Sequence, residues 1–399
     1  MGGALIIEDG AAENGDLDTV PAIQAAKPKE KIFVLQQFGY DKAGTLEPQP
    51  IPPSTPLQLR LTSRPTLING QLVPKIRMRP GEVQRWRFIH AGTQENVALA
   101  VDGHPLHEVA ADGISLGRSV RWPDAATADA AGAPEHFKFV LAPGYRTDVL
   151  IKAELEPGQS SRRVFLRDLR LSNTLSLRAA EARNLRAAAG ATPTIAAIPI
   201  DISDKPEQVL AEIVIEGAPV AMDLPAAEAL ASVKPVEFDR IPDERLKASD
   251  PQRVELKIAK NLVCEPDGSC RACTTGDPES ECARKLRYLI NDMQFSDGEV
   301  RKLKLDTYAE WTLSGLGLGG SERHPFHIHV NPFYFQRAEP DGTKKWIWKD
   351  TLLVPPPGSL GGPEKVWMKY TRFTGKFVIH CHILVHEDRG MMQPVEIVP

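Results

Sequence analysis

Short runs rich in β-branched and aromatic residues recur along the chain: KIFVLQQF, LQLRLT, RWRFIHA, FKFVLA, TDVLIKA, RVELKIA and KFVIHCH. Turn-forming stretches such as RPGE, APGY and SDGE lie between them. The 34 prolines and 30 glycines are scattered, and either residue interrupts a helix interior. Few stretches carry helical periodicity; one Ala-rich segment, Ala179 to Ala189, reads as a short helix. Short strands separated by regular turn signals predict an all-β chain built of sandwiches.

A length of 399 residues suggests two to three domains. The formal charge of −4 offers no basic patch for nucleic acid and no polybasic membrane anchor. No apolar run reaches the roughly 18 to 20 residues that cross a bilayer. The opening MGGALIIEDG lacks the positive segment and the apolar length of a secretory signal, so this stretch is read as carrying no export address. Composition divides the chain into residues 1–28, a strand and a linker; 29–217, a β-domain; 218–235, a connection (APVAMDLPAAEALASVKP); and 236–399, a final β-domain.

Six of the ten histidines fall in two tight clusters within that last domain. In a strand, alternate side chains point to opposite faces. In FVIHCH, His380 and His382 therefore share one face and Cys381 takes the other. The spacing continues as Cys-x4-His-x4-Met through Cys381, His386 and Met391. Two imidazoles, a thiolate and a weak thioether describe a blue-copper electron-transfer site. The missing imidazole comes from HPFHIH, where His327 and His329 share a strand face and His324, just before a proline, is free to face elsewhere. This gives one mononuclear set (His324, Cys381, His386, Met391) and four further imidazoles (His327, His329, His380, His382). One strand would thus present a thiolate to one centre and paired imidazoles to another. Zinc fits less well, because methionine is not a zinc ligand and six histidines exceed one tetrahedral site.

HPFHIH and HCHILVHEDRGMM resemble the copper motifs of the third domain of multicopper oxidases, the laccase-like family. RPGEVQRWRFIHAG and VDGHPLHEVAADG are similar to its second domain, and WKDTLLVPPPG to its third. The resemblance covers nearly the whole chain. It implies two cupredoxin-like Greek-key β-sandwiches, with MGGALIIED resembling the last strand of a third. It implies copper as cofactor: His324, Cys381 and His386 with axial Met391 as type 1 ligands, His327 as a type 2 ligand, and His329, His380 and His382 as type 3 ligands. Glu387 matches a position where some relatives keep a carboxylate that delivers protons to dioxygen. A small-molecule or metal-ion reductant and dioxygen are the implied partners; oligomeric state is left open.

A full trinuclear cluster in that family uses eight histidines, half of them from two His-x-His motifs of the first domain. Neither motif is present here, so the trinuclear set is half present and the chain reads as truncated. Two functions stay open: a laccase-like oxidoreductase acting on phenols or similar reductants, and a mononuclear blue-copper electron-transfer or copper-binding protein. His90, His104, His107 and His136 stand in no His-x-His pair and read as structural. Cys264, Cys270, Cys273 and Cys282 lie in a polar Gly/Pro-rich insertion that suits two disulfides, with zinc or an iron–sulfur cluster as alternatives. Disulfides would place the protein in an oxidising compartment, extracellular or periplasmic.

Overall fold

The computed structural model describes residues 3–7, 20, 21, 23, 27–38, 65–130, 133–169, 207–231, 241–247, 250–259, 262–264, 270–272, 287–316, 323–355 and 363–399. The LQLRLT run and the Ala179–Ala189 segment lie outside them, as do the side chains of the four-cysteine group. The described chain forms two compact units: Met1–Arg240 with Phe335–Lys349, and Ile241–Tyr334 with Asp350–Pro399.

In the first unit a six-stranded sheet runs in the order Thr66–Ile68, Lys29–Gln37, Val83–His90, Arg146–Lys152, Leu106–Ala111, Ile114–Trp122. A five-stranded sheet runs Lys75–Met78, Gln208–Ile215, Arg162–Asp168, Val97–Val101, Phe139–Leu141. Trp86, Phe88 and Leu106, each wholly buried, come from the first sheet, and Leu99, Leu141 and Leu166 from the second. Apolar faces of this kind are stable only when two sheets cover one another.

The second unit repeats much of the scheme. Its larger ladder runs Arg287–Ile290, Asp250–Ala259, Thr307–Leu316, Glu364–Tyr370 and then Phe333–Ala338, of which Phe333 and Tyr334 belong to this unit. Its smaller ladder runs Arg301–Lys304, Met392–Val398, Gly375–Cys381, His324–Ile328, Thr351–Val354. The parallel pairs fall at equivalent places: Lys29–Gln37 with Val83–His90, and Asp250–Ala259 with Thr307–Leu316. His324, His327, His380 and Cys381 lie on two strands of the smaller ladder, whose counterparts in the first unit are Val97–Val101 and Arg162–Asp168. There Ala98, Ala100 and Leu169 fill an apolar cluster instead.

Residues 3–7 join no ladder, and Leu5 and Ile7 are 85% and 80% exposed. An isolated strand has no partner for its backbone groups, so the apolar pattern alone does not make one. The connection read at 218–235 is described as far as residue 231. It carries the short helix Ala227–Ala231, whose Leu230 is buried with Val20, Ile23, Val83, Val109 and Leu150.

The Phe335–Lys349 segment is fixed within the first unit by buried charge. Arg337 donates to Glu108 at 3.0 Å and lies over the Trp122 ring, and Lys349 pairs with Asp112 at 2.9 Å. Glu108 also accepts from Trp122 Nε1, so neither charge is stranded.

Candidate metal centres

The His324–Ile328 strand runs antiparallel to Gly375–Cys381, with Phe326 opposite Cys381 and His327 opposite His380. Cross-strand partners share a face. Cys381 and Phe326 therefore point into the sandwich, wholly buried, while His327 and His380 take the other face. His324 and His327 are three residues apart, so strand alternation alone puts them on opposite faces. The proline that follows His324 is not needed to explain this.

On the inner face, Cys381 Sγ lies 3.6 Å from His324 Nδ1 and 3.4 Å from His386 Nδ1. His324, Cys381 and Met391 are 0% exposed and His386 is 8% exposed. His386 reaches the site from the short helix Leu384–Asp388 and packs beside the Tyr288 ring. The loop closes through its own backbone: Cys381 N–H donates to Met391 O, and Met391 N–H donates to His386 O. Gly390 makes the closure with a φ of 103°, a conformation that suits glycine, and a Cβ there would meet Gln294 at 3.3 Å.

These residues fit a metal ion. Bonds of about 2.0 Å to nitrogen and 2.3 Å to sulfur, at a near-tetrahedral angle, hold the two donors roughly 3.6 Å apart. His324 Nε2 is buried without a partner among the described residues. An imidazole whose one hydrogen-bond neighbour there is a sulfur makes a poor core residue and a good ligand. Burial drives the His324 imidazole down to about 4. Burial, then the His324 and Arg389 charges, holds His386 well below the ordinary histidine range. Both rings are neutral at pH 7, as ligands must be.

On the outer face the ligand nitrogens of His327, His329 and His380 lie within 4.8 Å of one another. His327 Nδ1 faces the Asp350 carbonyl at 3.0 Å and Thr351 Oγ1 at 2.9 Å. His380 Nδ1 faces the Cys381 carbonyl at 3.0 Å and Glu387 Oε2 at 3.3 Å. A carbonyl oxygen only accepts, so each Nδ1 carries the proton and each Nε2 presents a lone pair. The His382 ring stands 5.4 Å from that of His327 and 5.5 Å from that of His380. Burial first, and then the His327 and His380 charges, brings His382 down to about 4. Burial alone would raise the Glu387 carboxyl. The hydrogen bond from His380 and the neighbouring imidazole charges outweigh it and hold Glu387 below the usual carboxylate range.

Sequence reasoning missed the supports of this second group. Asp350 and Thr351 lie more than twenty residues from His327 in sequence and reach it only because His327 pairs with Thr351 across the ladder. It also missed Val330, which adopts a φ of 67° directly after His329. Elsewhere, His104 is held wholly by backbone, with Nδ1 on Asp102 O at 2.8 Å and Nε2 accepting from Glu154 N–H at 3.0 Å. Among the described residues, the two groups above are the candidate metal-holding clusters.

Two candidate donor sets, the inner one buried and the outer one partly exposed, thus lie back to back across one strand of a β-sandwich. Family models for multicopper oxidases match residues 31–120 and 271–399. A laccase from Bacillus subtilis is 22% identical over 373 residues, which cover 88% of this chain and 57% of that protein. A multicopper oxidase from Staphylococcus haemolyticus is 34% identical over 112 residues, 27% of this chain and 24% of that one. The McoA multicopper oxidase of Aquifex aeolicus superposes with a TM-score of 0.63 at 16% identity, covering 96% of this chain and 69% of that one. A multicopper oxidase of Campylobacter jejuni superposes at 0.60 and 19% identity, covering 94% and 65%. The chain belongs to the multicopper oxidase family. It spans 57% of the length of the Bacillus laccase it matches.

Proposed function

We propose that the chain is the electron-accepting part of a laccase-like oxidoreductase. A mononuclear centre at His324, Cys381 and His386, with Met391 as axial residue, takes single electrons from a phenolic or similar small reductant. The observation that supports this most directly is the Cys381 thiol, held between two neutral imidazoles while its own main chain abuts His380. Copper, when bound, supplies one-electron chemistry at this set and dioxygen reduction at a completed second set.

The chain's own part is to fix donors and offer a path. From Sγ of Cys381 the route runs covalently through its backbone to His380 and His382. The hydrogen bond from His380 Nδ1 to the Cys381 carbonyl shortens it. Glu387, with a 28% exposed side chain and an imidazole at 3.3 Å, is the group we assign to proton uptake from water. An extracytoplasmic setting follows from reading the four clustered cysteines as disulfides. A second reading, a mononuclear electron carrier, is favoured by one observation: the second cluster gathers four imidazoles among the described residues.

Copper stoichiometry with electron paramagnetic resonance separates the two. A blue centre with dioxygen uptake supports the oxidoreductase; a blue centre without uptake supports the carrier. Cys381→Ser removes the thiolate and is expected to abolish both the blue absorption and dye oxidation. Retention of either at the parent's level overturns the assignment.

A further inference from the structure

The loop that carries His386 and Met391 is gripped by a neighbouring hairpin of the same unit. Strand Arg287–Ile290 turns back through Asn291 and Asp292, with φ of 51° and 64°, and Met293 then pairs with Ile290 at 2.9 and 3.1 Å. The next residue, Gln294, is fixed by its own main chain. Its N–H donates to Asp297 Oδ2 at 2.8 Å, and Asp297 N–H returns to Gln294 O at 2.9 Å. Both atoms of its side-chain amide are engaged: Oε1 accepts from Arg287 Nε at 3.1 Å, and Nε2 donates to the Arg389 carbonyl at 2.9 Å. One residue on, Phe295 N–H donates to the Gly390 carbonyl at 3.0 Å. The two consecutive carbonyls just before Met391 are thus held from one short segment.

We propose that Gln294 is a positioning residue for the thiolate centre, fixing the Arg389–Gly390 step and through it the place of Met391 relative to Cys381. The connection is continuous. Met391 N–H donates to His386 O at 2.9 Å, and Cys381 N–H donates to Met391 O at 3.1 Å. Gly390 shows how closely the two segments meet, since a Cβ there would stand 3.3 Å from the Gln294 side chain. A weak axial thioether is placed by the protein rather than drawn in by the metal, so moving this loop moves that contact.

The inference rests on reading Met391 as the axial residue, and its test has one arm without metal and one with it. Gln294→Glu keeps an acceptor for Arg287 but cannot donate to the Arg389 carbonyl. Gln294→Met keeps the length and loses both bonds. Asn291→Gly is the control: Asn291 braces the same hairpin against Arg253 O and Glu255 N–H, at 2.9 and 2.8 Å, and glycine suits its left-handed backbone. In the copper-free chain, amide exchange at Met391 and Cys381 is expected to quicken about fivefold in both Gln294 variants. In Asn291→Gly it is expected to stay at the wild-type rate. With copper bound, both Gln294 variants are expected to shift the visible band and the copper hyperfine splitting in paramagnetic resonance, and the control to leave them unchanged. Unchanged exchange in the Gln294 variants, equal acceleration in the control, or an unshifted spectrum in a blue Gln294 variant overturns the inference and leaves the proposed function in place. A wild type without a blue centre overturns the proposed function, and the positioning role with it.

Discussion

Buried imidazoles make the copper-free protein acid-labile, and the size of the effect follows from the site. His324 titrates at about 4 because it is wholly buried. An unfolded histidine titrates near 6.5. The fold therefore favours the neutral ring, and the unfolded chain binds the extra proton between those values. The stability that depends on a neutral His324 is fully present above pH 6.5 and is lost as pH falls toward 4. The shift is worth about 3 kcal/mol in all, most of it gone by pH 4.5. His324→Gln keeps a polar side chain but cannot titrate. Urea denaturation of the copper-free wild type and variant at pH 7.5 and 4.5 isolates the residue, since the other groups titrate in both. The variant should lose roughly 2 to 3 kcal/mol less than the wild type over that interval. Equal losses would refute the claim that the ring is buried and neutral. Copper binds the neutral form, so it should oppose the acid transition in the wild type.

Two further outcomes test the packing. Val330→Gly relieves a left-handed valine and should raise stability by about 1 kcal/mol in chemical denaturation, despite greater freedom in the unfolded chain. Arg337→Ala leaves Glu108 buried without its cation and should cost about 3 kcal/mol in the same assay.

Much of the site can be read from spacing. Alternation places Cys381 opposite His380, and a three-residue step does the same for His324 and His327. The β-class follows from short runs between turns. What spacing does not carry is register. That Thr351 lies across from His327, and that Asp350 turns its carbonyl to the same ring, depends on which strands pair and where. The left-handed turn at Val330 is hidden for another reason: valine is an improbable choice for it.

The matching ladders of the two units show one strand order carrying two different sets of side chains. Where one half of the chain sets histidines and a cysteine, the other sets small aliphatic side chains and closes over them just as well. The candidate ligands are thus a few positions on a frame that the other unit builds without them. The frame should survive the stripping of its donors, and a mutant that neither colours nor conducts should still be recognisable by its shape.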